Sequence, residues 1–125
     1  MPGKVVDASV IAAIAFQESR TLEAEAILEG ADLVAPLLLG FELANIARNK
    51  ALRDPHRLEG IKEGLLEALE LEIQWTEVDQ LAVLELALRT GLTTYDASYL
   101  YLARRLDLPL VTFDHQLQVA FNGPS

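Results

Sequence analysis

Short apolar segments alternate with longer helical segments along the whole chain, and this alternation limits the possible folds more than any other feature. Segments such as 33–35 are too short to be helices, and their Leu, Val and Ala side chains are typical of buried strands. Strands that alternate with helices form a parallel sheet covered by helices. The sequence therefore predicts an α/β fold with a central parallel sheet.

Four strands and seven helices are expected. The strands are predicted at residues 4–8, 33–35, 71–78 and 110–113. The helices are predicted at residues 9–16, 19–29, 36–52, 54–69, 79–89, 93–106 and directly after 114.

Several residue types mark the expected ends of these helices. Ser9 is the expected N-cap of the first helix, and Pro36 suits the first turn of the long one. Asp54 and Asp79 are expected caps, and Gly91 is expected to end the helix that begins after Asp79.

Composition restricts the class of protein and the kind of metal site. The 125 residues predict one domain over 1–125, and 51% apolar content is enough for a core without cross-links. There are no cysteines and only two histidines, so a metal ion would be held by oxygen ligands, which favours Mg²⁺ or Mn²⁺. The net charge of −9 argues against a protein that coats nucleic acid, but it does not exclude one local nucleic-acid site.

The N-terminal segment is not expected to direct the protein to a membrane. Lys4 precedes an apolar stretch, as in a signal peptide, but Asp7 interrupts that stretch. No apolar run approaches the roughly 18 residues of a membrane span. The sequence therefore predicts a cytoplasmic protein.

Four acidic residues occupy positions where a solvated carboxylate is unexpected. Asp7 and Asp114 close predicted strands, and the carboxyl ends of parallel strands meet at one edge of a sheet. Glu42 interrupts an apolar run, and Asp96 begins an apolar helical face. Because buried carboxylates need a partner or a metal ion, these four predict a divalent-cation site.

Each of these acids also has a structural explanation. Asp7 and Asp114 suit turns or N-caps. Asp96 stands three residues after Thr93, as in a capping box. Glu42 begins a polar line with Asn45 and Asn49, which is also expected of a solvated face. Ser9 and Thr112 are expected hydrogen-bond donors beside the site.

Basic and aromatic residues carry weaker signals. Arginines and lysines could bind phosphate groups beside a metal site, although cations are also favoured at helix C-termini. These weak candidates for binding a nucleic-acid backbone are Arg48, Lys50, Arg53, Arg104 and Arg105. The aromatic residues expected in the core or at its rim are Trp75, Tyr95, Tyr99 and Tyr101.

Four segments, in this order, resemble the PIN-domain ribonucleases, and most of all the VapC toxins of toxin–antitoxin pairs. The segments are Val5-Val6-Asp7-Ala8-Ser9, Glu42-Leu43-Ala44-Asn45, Tyr95-Asp96-Ala97-Ser98-Tyr99 and Leu110-Val111-Thr112-Phe113-Asp114. The resemblance extends from residue 4 to about residue 121.

The resemblance implies a three-layer α/β/α fold whose parallel sheet has four to five strands. It gives Asp7, Glu42, Asp96 and Asp114 the roles of catalytic and metal-binding acids, and Ser9, Asn45 and Thr112 supporting roles. It also implies Mg²⁺- or Mn²⁺-dependent cleavage of RNA, a cognate antitoxin and a homodimer.

The chain departs from its relatives near the C-terminus. Many relatives have a further strand there, and some have an additional acid where this chain has Gln116 and Gln118. The fourth ligand, Asp114, is therefore the least secure of the set.

Two rival functions follow from the same residues. The first is a catalytically inactive PIN-like scaffold or binding module, which the presence of all four acids disfavours. The second is a phosphoacceptor receiver domain, which would need an acidic pair near the first strand and a lysine after the last. Neither of these features is present.

Overall fold

The computed structural model describes residues 3–124, which form a parallel sheet of four strands flanked by helices. The strand order is β3-β2-β1-β4. The strands are β1 (Gly3–Val6), β2 (Asp32–Pro36), β3 (Ile73–Thr76) and β4 (Leu110–Val111). Within the described residues the sheet has no fifth strand, so the lower number of the predicted four to five is correct.

Within residues 3–124, seven α-helices and one 3-10 turn connect and cover the strands. The helices are α1 (Ala8–Ala15), α2 (Thr21–Leu28), α3 (Leu38–Arg53), α4 (Leu58–Leu69), α5 (Gln80–Thr90), α6 (Thr94–Leu106) and α7 (His115–Asn122). The 3-10 turn, Pro55–Arg57, joins α3 to α4.

The order of the strands creates a switch point between β1 and β4. The chain passes from β1 outward to β2 and β3, and then returns to the other side of β1 as β4. Val5 pairs with Leu110 and Val6 with Val111, so the two strands end side by side. Functional sites of open α/β sheets lie beyond the strand ends at such a point.

The helices form two packing groups, one on each side of the sheet. On one side α1 contacts α2, α3 and α4; on the other, α6 contacts α5 and α7 and lies against β1, β2 and β4. The core between them includes Val5, Val6, Leu43 and Leu100, all with 0% exposure. Each such buried aliphatic side chain contributes about 1.5–3 kcal/mol. This core fixes the strand ends that carry the site.

Several predicted boundaries were wrong. Asp7, and not Ser9, is the N-cap of α1, because the first strand ends at Val6. Pro36 closes β2, where it pairs with Thr76, and α3 begins only at Leu38. Proline suits this strand end as well as a first helical turn, because it needs no N–H donor.

The other helix ends agree with the sequence signals more closely. Asp79 caps α5 through its side chain, and Gly91 ends α5 with a left-handed φ of 77°. Asp54 forms no side-chain cap within the described residues, because the 3-10 turn begins there in place of an α-helix. In the part of the chain that the structure describes, no helix is long and apolar enough to span a membrane.

Candidate active site

Asp7 is the most buried of the four predicted acids. It follows β1 directly, is only 6% exposed, and its backbone N–H donates to the carbonyl of Val111 in β4. Its Oδ1 caps α1 by accepting from the N–H groups of Ser9 (3.1 Å) and Val10 (3.4 Å). The capping role considered from the sequence is thus real, but it does not explain why the carboxylate is buried.

Two hydroxyl groups complete the surroundings of Asp7. The Ser9 hydroxyl donates to Oδ1 at 2.6 Å, and the Thr112 hydroxyl donates to Oδ2. Ser9 Oγ also accepts from the N–H of Phe113 at 2.9 Å, and Thr112 Oγ1 accepts from the N–H of Asp114 at 2.9 Å. This network fixes Asp7 to the loop that follows β4. Ser9 and Thr112 are therefore beside the acid, as expected.

Glu42 lies in α3 and is partly buried. Its Oε1 accepts a hydrogen bond of 2.5 Å from the hydroxyl of Tyr99 in α6. Burial raises the pKa of Glu42; the Tyr99 hydrogen bond lowers it, and the negative charges of Asp96 and Asp7 raise it further. The pKa of Glu42 is therefore raised overall. This means that, within residues 3–124, its ionised carboxylate lacks a positive charge that would balance its burial and the nearby acids.

Asp96 lies in the first turn of α6. Its backbone N–H donates to the Thr93 hydroxyl at 3.1 Å, so the expected cap engages the backbone of Asp96 and not its carboxylate. Burial raises the pKa of this carboxyl, and the charges of Asp114 and Asp7 raise it further. Asp96 therefore interacts electrostatically with acids from two different strand ends.

Asp114 is the N-cap residue of α7, but its side chain forms no capping hydrogen bond within the described part of the chain. Its charge acts on Asp96. For Asp7, too, burial raises the pKa more than the hydrogen bonds of Ser9 and Thr112 lower it. At the carboxyl edge of the sheet, Asp7, Glu42 and Asp96 thus act on one another and Asp114 acts on Asp96, and repulsion of this kind is relieved by a divalent cation.

The four acids are not arranged as a complete set of metal ligands within the described residues. Among residues 3–124, no group of three or more acidic or histidine side chains is arranged to hold a metal ion. Both carboxylate oxygens of Asp7 accept hydrogen bonds, and Tyr99 occupies one of the two oxygens of Glu42. The donor chemistry nevertheless suits Mg²⁺, which keeps several water molecules and needs only one or two carboxylates directly.

The other residues predicted for the site, which are Asn45 and the basic residues, are placed less favourably for a role there. Asn45 is exposed, and it is not a hydrogen-bond partner of the four acids within residues 3–124. Lys50 forms an ion pair with Glu18 at 2.6 Å. Arg104 donates to the carbonyls of Ala120 and Pro124. These contacts give Lys50 and Arg104 structural roles.

The other basic candidates are exposed: Arg48, Arg53 and Arg105.

Tyr99 is the residue near the site that sequence reasoning missed. It was expected in the core, and it is indeed only 1% exposed. Its hydroxyl, however, reaches Glu42, and burial together with the Glu42 charge raises the pKa of the phenol far above its usual range. The available signal was its position three residues after Asp96 on the same helical face.

The sequence matches known proteins across nearly its whole length. Residues 4–121 match the family model of the PIN domain. Ribonuclease VapC3 of Pyrobaculum aerophilum is 36% identical over 124 aligned positions, which cover 94% of this chain and 93% of that protein.

Solved structures show the same architecture. PAE2754 from Pyrobaculum aerophilum has a TM-score of 0.79 at 28% identity, and the match covers 98% of this chain and 81% of that one. VapC20 of Mycobacterium tuberculosis, a toxin that cleaves the sarcin–ricin loop, has a TM-score of 0.70 at 16% identity, covering 94% and 95% of the two chains. The second likeness concerns the fold alone. The chain therefore belongs to the PIN-domain family and is a VapC-like member of it.

Proposed function

We propose that this protein is a divalent-cation-dependent endoribonuclease that hydrolyses RNA phosphodiester bonds and is the toxin of a toxin–antitoxin pair. Membership of the PIN family and 36% identity to a ribonuclease support the nuclease reaction. The single observation that carries the proposal is the electrostatic convergence of Asp7, Glu42, Asp96 and Asp114. An inactive scaffold would not need four acids that repel one another.

The four acids are the groups that would hold Mg²⁺ or Mn²⁺, some of them through water molecules. Asp7 and Asp96 interact with each other, and Glu42 interacts with both. Asp114 interacts with Asp96 and would complete the site or orient a water molecule. When bound, such a cation lowers the pKa of a water molecule and stabilises charge on the phosphoryl oxygens.

The protein's own residues keep this site ordered. Ser9 and Thr112 donate to the two oxygens of Asp7 and hold the carboxylate in one orientation. Thr112 also fixes the N–H of Asp114, so the fourth acid is positioned by the same hydroxyl. In-line attack by water on the phosphorus would leave 5′-phosphate and 3′-hydroxyl ends.

RNA binding would rely on a small number of basic residues. Arg48, Arg53 and Arg105 are exposed, whereas the net charge of the chain is −9. Few phosphate contacts are expected in such a protein, so binding should depend only moderately on salt. The cytoplasm, where RNA is accessible, is the proposed place of action, with residues 1–125 acting as a single domain.

We also propose a homodimer. Leu81, Leu84 and Leu88 lie at i, i+3 and i+7 on α5 and are 75%, 45% and 78% exposed. Leu81 also borders a groove of about 700 Å³, which Leu37 lines as well. A face of this kind is unusual for a monomer, and a second copy or a cognate antitoxin would cover it.

The nuclease proposal is tested by incubating the protein with a mixed RNA sample in Mg²⁺, Mn²⁺ or EDTA. We expect cleavage in both metals, none in EDTA, and products with 5′-phosphate ends. Metal-independent cleavage would contradict the assigned chemistry. Absence of cleavage on any RNA, with Mn²⁺ bound, would favour the inactive scaffold.

A further inference from the structure

One buried contact joins the two helices that carry Glu42 and Asp96. The hydroxyl of Tyr99 in α6 donates to Oε1 of Glu42 in α3 at 2.5 Å, although the residues are 57 positions apart. Tyr99 is 1% exposed and Glu42 is partly buried. A hydrogen bond from a buried donor to a charged acceptor is among the stronger interactions in a protein.

The position of Tyr99 relates this contact to the rest of the site. Tyr99 follows Asp96 by three residues in α6, so the two side chains share one helical face. Glu42 reaches the site on a flexible side chain, and one of its two oxygens is occupied by Tyr99. The contact therefore sets the orientation of Glu42 relative to Asp96.

We propose that Tyr99 is a positioning residue: by holding one oxygen of Glu42, it would keep the other oxygen available to bind a divalent cation, directly or through water, together with the other acids of the site. This inference rests on the proposed function. The competing explanation is purely structural: a buried tyrosine hydroxyl needs a hydrogen-bond partner, and Glu42 supplies it. Only the first explanation requires that the affinity for the cation depends on the Tyr99 hydroxyl.

The test is a calorimetric titration of metal-free protein with Mn²⁺, using Tyr99→Phe and the matched control Tyr101→Phe. Tyr101 lies on the same helix and packs against the core, so both variants lose a phenol hydroxyl from α6. Residues that orient metal ligands change metal affinity by about 10- to 100-fold when mutated, and we expect this loss for Tyr99→Phe. Tyr101→Phe should bind Mn²⁺ as the wild type does.

A second variant breaks the same contact from the other side. Glu42→Asp keeps the charge but shortens the side chain by one methylene, so it no longer reaches Tyr99, and it leaves the core intact. Mn²⁺ affinity should fall in Glu42→Asp. Adding Tyr99→Phe to this variant should reduce the affinity further by less than about twofold, because the effects of coupled residues do not add. The loss in Glu42→Asp alone would occur with or without a role for Tyr99, so the comparison of Tyr99→Phe in the two backgrounds decides the question, and thermal unfolding of each variant checks that it is folded.

The outcomes separate this inference from the proposed function. Wild-type Mn²⁺ affinity in either Tyr99→Phe or Glu42→Asp would overturn the positioning role while the metal site stands. Equal losses from Tyr99→Phe in the wild-type and Glu42→Asp backgrounds would also overturn it, since Tyr99 would not act through Glu42. A wild-type protein that binds no Mn²⁺ would remove the site and the inference together.

Discussion

The Thr112 hydroxyl donates to Oδ2 of Asp7, although the two residues are 105 positions apart in the sequence. The sheet explains this contact. Val6 pairs with Val111 in adjacent parallel strands, so the next residue of each strand, Asp7 and Thr112, stands at the same edge. The hydroxyl then accepts from the N–H of Asp114, which connects the acids that follow β1 and β4.

Replacing Thr112 with valine should therefore weaken the site without changing its shape. Thr112→Val leaves one oxygen of the buried Asp7 carboxylate without its donor, which costs about 1–3 kcal/mol. We expect the free energy of unfolding to fall by this amount in urea titrations, and RNA cleavage to decrease. Thr76→Val is the matched control, because Thr76 donates only to the nearby Gln74 carbonyl. Equal stability of the two variants would contradict the structural role of Thr112.

Divalent metal should stabilise the native protein. Folding brings Asp7, Glu42, Asp96 and Asp114 together, so these acids repel one another in the native state. A cation bound among them would relieve this repulsion. At 100 times its dissociation constant, one ion that binds the native state alone contributes about 2.7 kcal/mol. Calorimetric melting with Mn²⁺ and with EDTA measures this difference. An unchanged transition at millimolar Mn²⁺ would show that no such site exists.

The stability of the metal-free protein should depend on pH through Asp7. Burial raises its pKa above the ordinary value of 3.8, so the native state binds this proton more readily than the unfolded state does. Stability therefore increases as pH falls into the range between these two pKa values, and it decreases as pH rises through that range. The pKa values of Glu42 and Asp96 are raised as well, so they act in the same direction.

This pH dependence can be isolated with Asp7→Asn. In EDTA, the unfolding free energy of the wild type relative to the variant should be more favourable at about pH 4, close to the ordinary pKa of the group, than at about pH 7. Excess Mn²⁺ should reverse the trend, because metal ions bind the deprotonated carboxylates. A difference between the two proteins that is the same at both pH values in EDTA would exclude the raised pKa of Asp7.

The exposed leucines of α5 should form part of a dimer interface. Leu88→Arg places a charge on a side chain that is 78% exposed, so the monomer should fold normally while association weakens. Light scattering at micromolar concentration should show a dimer for the wild type and a 13.7 kDa species for the variant. Val119→Arg, at an exposed apolar position on α7, is the control and should remain dimeric. A wild type that is only monomeric would contradict the proposal.

The sequence was most informative at positions where the local backbone conformation accepts few residue types. Gly91 ends α5 because its φ of 77° suits glycine, and Asp79 caps the same helix. The parallel sheet followed from the alternation of strands and helices. Ser9 and Thr112 were expected beside the acids because of their positions relative to Asp7 and Asp114, and both lie there.

The sequence was less informative where tertiary packing decides. The N-cap of α1 is Asp7 because β1 ends one residue earlier than the apolar pattern suggested. The role of Tyr99 depends on the approach of α3 to α6, which local patterns do not encode. The exposed leucines of α5 could not be distinguished from core residues, since both are apolar. Leu22 and Phe41, in the helices predicted at 19–29 and 36–52, are also apolar and are each 79% exposed.

The central claim, that buried acids at the sheet edge perform metal-dependent RNA cleavage, is tested most directly by comparing Asp7→Asn with Asp79→Asn. Both aspartates cap a helix by accepting from the N–H groups two and three residues later. Asparagine caps helices nearly as well, so the capping cost should be at most about 1 kcal/mol in each variant. The two substitutions therefore share the capping cost, and they differ in the charge that Asp7 contributes to the site and in its two hydroxyl donors, Ser9 and Thr112.

The measurement is the initial rate of RNA cleavage by both variants and the wild type, on one RNA mixture with Mg²⁺ or Mn²⁺. Asp79→Asn should cleave at the wild-type rate. Asp7→Asn should fold, be at least as stable as the wild type without metal because one repulsive charge is gone, and lose cleavage by orders of magnitude. Equal cleavage by the two variants would mean that the four acids are structural, and it would contradict the assignment of this site as the nuclease centre.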